Sequence, residues 1–546
     1  MAEIHGGQIA ARQLQLAGID TLFGVVAGPM IEVFAGAQEA GLRVVGCRHE
    51  MNAGFAASAW GYQTRKPGVL VVGSGPGMTN AVTPMHVATE SAMPLVVLGG
   101  SAFTNTRGVG GFQEAHQTAF AAPACKWVGQ VDSTERIGEW LHLALGKALQ
   151  GRPGAVYLDF PGELVARRIP EENAVLRKRS PEIFRPHPDP NAIDRLAGLI
   201  ADAERPLLLV GKGAAWAEAG SALTRLADRG LPYVCSPMGR GVVSDDHPNF
   251  ANAARSAALK GADLVVLFGG RFNWIFGMGR RFAPEATLVQ IDVEAEEMFS
   301  GADLALGLVA DAAVTAEALD LALEGRTLRS EGGGWLSGLR EQALRNEAAA
   351  RQALGDDAVP INPYRLVAEV REALPRDAIV TTEGETIMGI CRAMLPSYGE
   401  RSRMNAGTTG CMGTGAPYAL GAKLAHPDRP SVAVLGDYAF GAAAMVVETA
   451  ARIGAAPVYV VANNEGIAGH MIQDHMLPPG SPPIASLLPA HYEKIGEMVD
   501  AHTERVDRPN EIRPALERAL SADRVAVVHV RCNPKATRLS GTNYLQ

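Results

Sequence analysis

The sequence predicts an α/β protein built from three doubly wound, parallel-sheet domains. Short β-rich runs alternate with Ala-rich helical stretches from one end of the chain to the other, the pattern of parallel sheets with helices on both faces. At 546 residues the chain is too long for a single hydrophobic core. Two charged, Pro-rich stretches interrupt the alternation: "RKRSPEIFRPHPDPNAIDR" (177–195) and "LRNEAAARQALGDDAVPINPYR" (344–365). Read as linkers, they leave segments 1–180, 190–345 and 358–546, each of ordinary domain size.

Strand-turn-helix units recur within every segment. The first has "LRVVGCRHEMNAGFAASAWGYQ" and "GVLVVGSGPGMTNAV". The second has "RPLLLVGKGAA", "ADLVVLFGGRFNW" and "ATLVQIDVEAEE". The third has "SVAVLGDYAF", a helical stretch "GAAAMVVETAARIG", and "APVYVVANNEGIAGH". Ligands of such sheets sit at the carboxyl ends of the strands, so the residues after each strand are the ones to read.

Composition narrows the function classes. Hydrophobic residues make up 47%, charged residues 20%, and the net charge is -8. With no run of Lys and Arg, neither nucleic acid nor an anionic membrane is an expected partner. The six cysteines are scattered without a CxxC pair and read as reduced thiols of a cytoplasmic protein. The N-terminal "MAEIHGGQIAARQLQLAGID" has the pattern of an amphipathic helix with charges throughout, not of a signal peptide. Apolar runs such as "LVVLFGG" have strand length, far below the ~20 residues of a membrane span.

The third segment carries the clearest chemistry. A right-handed crossover makes "SVAVLG" and "APVYVVANN" parallel, which sets their carboxyl ends on one edge. Asp437 and Asn464, 464 − 437 = 27 positions apart, then face one point. A carboxylate with a carboxamide oxygen suits Mg²⁺, which takes few protein ligands and completes its octahedron with water and phosphate oxygens. Gly436 and Gly466 let the backbone approach a diphosphate.

Gly-Asp followed some 27 positions later by Asn-Asn resembles the metal-diphosphate signature of thiamine-diphosphate (ThDP) enzymes, although Tyr438 replaces the usual glycine. "GDYAFGAAAMVVET" resembles in particular the subgroup of 2-hydroxyacyl-CoA lyases and oxalyl-CoA decarboxylases. The resemblance implies pyrimidine-binding, central nucleotide-binding and diphosphate-binding domains. It implies Mg²⁺ on Asp437, the Asn464 side chain and the Gly466 carbonyl, with Tyr438, Ala439, Ile467 and Ala468 beside the cofactor.

The same resemblance assigns residues elsewhere. Glu50, which follows a strand and opens an apolar helix, is expected to hold the proton at N1′ of the aminopyrimidine. Pro76 and Asn80 of "GSGPGMTNAV" line the pyrimidine. In "GTTGCMGTGAPYALGAK" the Gly410 carbonyl accepts the 4′-amino group and Met412 supports the bent cofactor. "GGFQEAHQ" resembles a loop that reaches the partner subunit's active site, with Gln113 the expected substrate contact and Glu114 the lesser one. The central segment resembles 2-hydroxyacyl-CoA lyase text and implies ADP or the ADP part of coenzyme A as its ligand. Asp292 and Asp311 are expected on ribose or adenine, and Lys212, Arg271, Arg152 and Arg403 on phosphates. The tail "NPKATRLSGTNYLQ" is expected over the substrate entrance, with Arg538 near CoA.

Departures from the family pattern bear on the substrate. Ala468 stands where relatives often have Tyr, and Glu385 and Thr386 stand near the diphosphate where relatives tend to have Ala and Asn. The smaller residue leaves space for substituents on C2, so branched 2-hydroxyacyl-CoA, with 2-hydroxyisobutyryl-CoA as candidate, is preferred over oxalyl-CoA. Glu493, or His491 beside it in "HYEKIGE", is a candidate to deprotonate the substrate hydroxyl. The expected reaction is C–C cleavage of a 2-hydroxyacyl-CoA through the ThDP ylid, giving formyl-CoA and a ketone or aldehyde. Oxalyl-CoA decarboxylation, acetolactate-synthase-like carboligation and a non-catalytic adenine-nucleotide-binding regulator are the alternatives. Because the resemblance places the active site between subunits, a homo-oligomer is expected, a dimer at least and a tetramer by preference.

Overall fold

The computed structural model describes residues 2–539; the last seven residues of the tail expected over the substrate entrance lie outside them. The repeated units form three all-parallel sheets. In the first, the strands lie in the order Arg43–Gly46, Thr21–Gly24, Gly68–Val72, Leu95–Ser101, Ala155–Pro161, Trp127–Gln130. The middle sheet has five strands: Tyr233–Cys235, Pro206–Val210, Leu264–Phe268, Thr287–Asp292 and Leu306–Val309. The third runs Arg403–Met404, Ile379–Glu383, Ser431–Gly436, Val458–Asn463, Ala526–Arg531, His502–Val506. Numbered in chain order within its own sheet, the first and third both read 2-1-3-4-6-5 and the middle one 2-1-3-4-5. The likeness of layout seen in the sequence is therefore a repeated topology. In each sheet the order reverses between strands 1 and 3, which is where a doubly wound sheet opens a crevice for ligands.

Central strands such as Val432–Leu435 and Val458–Val461 are apolar at nearly every position because helices cover both faces. By packing, the chain divides into two compact units. One holds 1–184 with 409–428 and 443–457; the other holds 185–408, 429–442 and the chain from 458 onward. The first unit thus combines the first sheet with two helices that neighbour strands of the third sheet in sequence, Gly415–Ala425 and Val446–Arg452. The sequence suggests one helix over 441–454. The structure has a short helix Asp437–Gly441, a turn tightened by i→i+3 bonds from Val446 and Val447, and then Val446–Arg452, with Gly454 at φ +66° just past its end. The expected N-terminal helix is Gly6–Leu16; before it, Glu3–His5 pairs antiparallel with Arg168–Pro170.

Helix Glu50–Thr64 is buried on nearly all sides, which explains its uniformly small and apolar text. It packs along Gly415–Ala425 at backbone distance. A Cβ at Gly421 would lie 2.2 Å from the Ala56 carbonyl oxygen, and Phe55 meets Tyr418 edge to face at 6.0 Å. Overpacking at such a contact costs about 1–3 kcal/mol. Gly421→Ala should therefore lower the urea midpoint by that equivalent, whereas an alanine at Gly41, which has nothing within 4 Å but φ +75°, tests backbone strain alone.

In the middle domain Asp320 accepts from Arg225 Nε (2.6 Å) and Arg229 Nε (2.7 Å). Burial pushes its carboxyl up, but the two guanidiniums outweigh it and hold the group below its ordinary value. A depressed carboxylate stabilises above its unfolded pKa and loses that contribution as pH falls through its folded value. Asp320→Asn should lower the urea midpoint at pH 7, and the gap to wild type should narrow below about pH 4.

Candidate active site

Strands Ser431–Gly436 and Val458–Asn463 are neighbours, with Gly436 opposite Ala462, so their carboxyl ends share one edge. Asp437 and Asn464 come directly after those ends, as the 27-residue spacing predicts. Asp437 is 1% exposed; its Oδ1 accepts from the Tyr438 N–H at 2.7 Å and its Oδ2 from the Gly466 N–H at 3.0 Å. Burial raises its carboxyl to about 6 against the pull of those N–H groups. The Asn464 side-chain oxygen lies 3.1 Å from the Gly466 carbonyl oxygen, and its nitrogen faces the Gly469 N–H across 3.0 Å. Two acceptors aimed at each other are reconciled either by turning the amide over or by a cation between them. With the amide as it stands, the Asp437 carboxylate, the Asn464 oxygen and the Gly466 carbonyl are the oxygens that would be offered to Mg²⁺; with the amide turned over, the Asn464 nitrogen donates to the Gly466 carbonyl instead. Among the described residues no three His, Cys, Asp or Glu side chains gather to hold a metal, so any cation here relies on this mixed set and on its ligand.

Gly384, which comes after the first strand of this sheet, adds bare backbone at the point where the strand order reverses. Its φ is +108°, and a Cβ there would lie 3.0 Å from the Gly436 nitrogen. A side chain on Gly384 would crowd the neighbouring strand end, so the backbone is bare at this edge. Glu385 stands just before the helix Thr386–Met394 without a side-chain capping bond, accepts from the Thr386 hydroxyl at 3.0 Å and is ion-paired with Arg538. A carboxylate at a helix N-terminus would repel a diphosphate, and Arg538 offsets that charge. Arg538, expected near CoA, is thus held at Glu385, with its guanidinium over Gly389.

The turn after Asn464 is pinned by bonds from the Ile467 N–H to Ala485 O (3.0 Å) and the Leu487 N–H to Glu465 O (2.8 Å). Ala468 has φ +56° and is 7% exposed, so its methyl is covered rather than open to solvent. Tyr438 is half-buried and Ala439 buried on the helix that Asp437 opens. Glu493 is buried with both oxygens engaged, one 3.0 Å from His491 Nδ1 and one 2.5 Å from His529 Nδ1. That arrangement suits holding a neighbour in place.

The first unit carries a second cluster. Glu50 is the first residue of its helix, capped by His49, whose Nδ1 accepts from the Met51 N–H at 3.0 Å. Asn80 donates to Glu50 Oε2 at 3.0 Å, and a Cβ at Gly77 would lie 3.5 Å from Oε1. One carboxylate oxygen is thus fixed by Asn80 and the other lies over a glycine. Pro76 opens the short helix Pro76–Asn80 after Gly75, whose φ of +52° and a would-be Cβ 2.6 Å from Gln113 O admit only glycine. Gln113, at φ +53°, accepts from the Ser74 hydroxyl at 3.1 Å. Glu114 accepts from the N–H groups of Gly108 (2.6 Å) and Gly111 (3.1 Å), which hold its carboxyl below the usual range, so it shapes its own loop. Phe112 at the loop tip is 85% exposed. Gly410 has φ +60° with open space around it, and Met412 is 42% exposed, unusual for a core methionine.

Models of the thiamine pyrophosphate enzyme family match all three sheets in order: the N-terminal TPP binding domain at residues 4–120, the central domain at 193–319 and the C-terminal TPP binding domain at 384–530. Human 2-hydroxyacyl-CoA lyase 1 is 34% identical over 98% of this chain and 96% of its own. Oxalyl-CoA decarboxylase of Escherichia coli is 32% identical over 98% of this chain and 96% of its own. An acetolactate synthase large subunit of Mycobacterium tuberculosis is 35% identical over 97% of this chain and 96% of its own. The chain belongs to the thiamine pyrophosphate enzyme family.

The residues expected on a nucleotide divide. Lys212 and Arg271 lie just beyond Gly211 and Gly269, the paired glycines where the middle sheet reverses order, and a Cβ at Gly211 would lie 2.1 Å from Gly269 O. Lys212 Nζ lies 6.0 Å from the Trp216 ring centre; Arg271 contacts Thr408 Oγ1 (3.3 Å) and Glu297 (3.6 Å). Asp292 ends its strand and accepts from the Glu294 N–H at 3.1 Å. Three others have structural employment. Asp311 caps the helix Ala312–Ala322 through the N–H groups of Ala313 and Val314. Arg403 is buried and donates to the carbonyls of Leu395 (2.6 Å) and Pro396 (3.2 Å). Arg152 lies at the amino end of its strand, away from the ligand edge, and donates to Glu90 O at 2.8 Å.

A polar core behind Gln113 escaped the sequence reading. Gln117 accepts from the Gly75 N–H (2.7 Å) and donates to Tyr157 Oη (2.7 Å) and Asp159 (3.1 Å); Ser101 and Gln130 also donate to Asp159. The visible signal was an aspartate inside the apolar strand "AVYLDFP", since a buried carboxylate must be satisfied by donors from elsewhere.

Asp437→Asn keeps the shape of the oxygen set and removes its charge. It should raise the Mg²⁺ concentration for half-maximal thiamine diphosphate binding at least about tenfold, measured by calorimetry; an unchanged requirement would remove Asp437 from the metal set.

Proposed function

We propose that this chain is a ThDP- and Mg²⁺-dependent lyase that cleaves a 2-hydroxyacyl-CoA to formyl-CoA and a ketone or aldehyde. The observation that carries the reading is the presence of two clusters, each within its own unit: Glu50 held by Asn80, and Asp437, Asn464 and Gly466 beside the bare backbone of Gly384 and Gly436. Bound thiamine diphosphate supplies a nucleophilic carbon for the thioester carbonyl and an electron sink for the C–C bond. Glu50 holds the proton at the aminopyrimidine ring nitrogen. The Gly410 carbonyl accepts from the 4′-amino group, and Met412 supports the ring. Asp437, Asn464 and Gly466 neutralise the diphosphate through the cation. Gln113 presents a carboxamide to the substrate side of the Gly75 turn.

Relatives named 2-hydroxyacyl-CoA lyase in human, mouse, rice and Arabidopsis support the substrate class. The small Ala468 supports a branched acyl group such as 2-hydroxyisobutyryl. In this reading the middle domain takes ADP or the ADP part of CoA at Lys212, Arg271 and Asp292, the enzyme is a homo-oligomer, and it works in the cytoplasm. The acetolactate synthase relatives favour a second reading, carboligation of 2-oxo acids.

Formyl-CoA release from 2-hydroxyisobutyryl-CoA, a straight-chain 2-hydroxyacyl-CoA and oxalyl-CoA separates these readings. The lyase predicts formyl-CoA with ketone or aldehyde, and a fall of about 10²–10⁴-fold in Glu50→Ala. Product from oxalyl-CoA alone makes the enzyme a decarboxylase, and acetolactate from pyruvate makes it a carboligase. Ala468→Tyr should depress turnover of the branched substrate more than that of the straight one; equal loss on both removes Ala468 from specificity.

A further inference from the structure

The turn that presents Asn464 and Gly466 is strained. Glu465 (φ +61°), Gly466 (φ +150°), Ala468 (φ +56°) and Gly469 (φ +62°) all lie at positive φ, and two of the four carry a Cβ. Such a turn persists only when its surroundings over-determine it. A buried polar chain that the proposed chemistry does not use supplies one constraint. Asn463, the last residue of its strand, accepts from the Glu465 N–H through Oδ1 at 3.1 Å. Its NH₂ therefore points the other way, donating to Ala490 O at 3.1 Å and to His529 Nε2 at 3.0 Å. A donor on Nε2 marks that nitrogen as unprotonated, so Nδ1 carries the hydrogen and donates to Glu493. His529 is 1% exposed. Burial lowers its pKa; the Glu493 carboxyl, pushed up by burial, is drawn below its ordinary value chiefly by the bond from His529. Both directions agree with a neutral imidazole beside an ionised carboxylate.

A second contact ties this chain to the other metal strand. Tyr492 stands edge-on to His529 (5.8 Å, 85°) and to Phe440 (6.0 Å, 75°), and Phe440 lies one helical turn after Asp437.

We propose that His529 and Glu493 are positioning residues for the cation site. They lock the Asn463 carboxamide in one orientation, and Asn463 holds the Glu465 N–H so that the Asn464 side chain and Gly466 carbonyl face Asp437. The inference rests on the ThDP and Mg²⁺ reading.

The test is Mg²⁺-dependent thiamine diphosphate binding by the full-length protein, measured by calorimetry, with far-UV circular dichroism as the check on folding. His529→Leu keeps apolar volume but neither accepts from Asn463 nor donates to Glu493. It should raise the Mg²⁺ needed for half-saturation by about 10–100-fold, the usual effect of losing an outer partner of a metal site. His529→Gln, which can accept from Asn463 and donate to Glu493, should recover most of the loss, and Asn463→Ala should reproduce it. A Leu variant with the wild-type Mg²⁺ requirement, or a Gln variant as impaired as Leu, overturns the proposal. Should the Leu variant not fold, an unchanged requirement in Asn463→Ala overturns it instead. Wild type that binds no thiamine diphosphate with Mg²⁺ brings down the functional reading and this inference together; wild type that binds while the variants match it brings down only the inference.

Discussion

Much of the chemistry of this chain depends on one register. Gly436 pairs with Ala462 across two parallel strands, and that pairing sets where both strands stop. A shift of one residue would turn Asp437 or Asn464 to the opposite face of the sheet. The apolar strand text fixes the register, because both faces are covered and every side chain has a partner. Once it is fixed, Asp437 and Asn464 follow two adjacent strand ends, with no cluster of three acidic, His or Cys side chains suited to a metal among the described residues.

The same logic recurs in the other two sheets. All three reverse their strand order between strands 1 and 3, and the chain has small residues facing each other there: Gly384 with Gly436, Gly211 with Gly269, and Gly73 against Ala27. A crevice at a reversal is open only if its two strand ends carry no bulk. The three crevices differ in the side chains that come just after the small residue. One has Asp437, another has Lys212 and Arg271, and the first has the Gly75–Pro76 turn that leads to Asn80 and so to Glu50. Repetition of one topology thus presents three different sets of side chains at its edges.

Burial also explains the polar residues inside the strands. Asp159 and His529 each interrupt an apolar run, and each is satisfied by side chains brought from distant parts of the sequence. The Asp159 group stands behind the loop that holds Gln113, and the His529 group stands behind the turn that holds Asn464. In both places a buried hydrogen-bonded core fixes a loop whose own backbone is at positive φ, where an L-residue does not rest unaided.

The sequence by itself determined the α/β class, the parallel sheets, and the placing of Asp437 and Asn464 just after two neighbouring strand ends. Each comes from local patterning: apolar runs of strand length, helical spacing between them, and the handedness of the crossover. It also placed Glu50 at the start of a buried helix. Only the tertiary structure decided which partners the polar residues meet. Arg152 reads as a phosphate contact because a cation beside a glycine or a strand end looks the same whether it faces solvent, a phosphate or a backbone carbonyl, and Asp311 and Arg403 are expected on the nucleotide through the resemblance alone. The fold assigned them to a helix cap and to carbonyl oxygens, and paired Arg538 with Glu385. It likewise took Glu493 out of solvent and set it between His491 and His529. Such partners come from segments tens to hundreds of residues away, and pairing at that range is settled by how the layers pack, which no local pattern encodes.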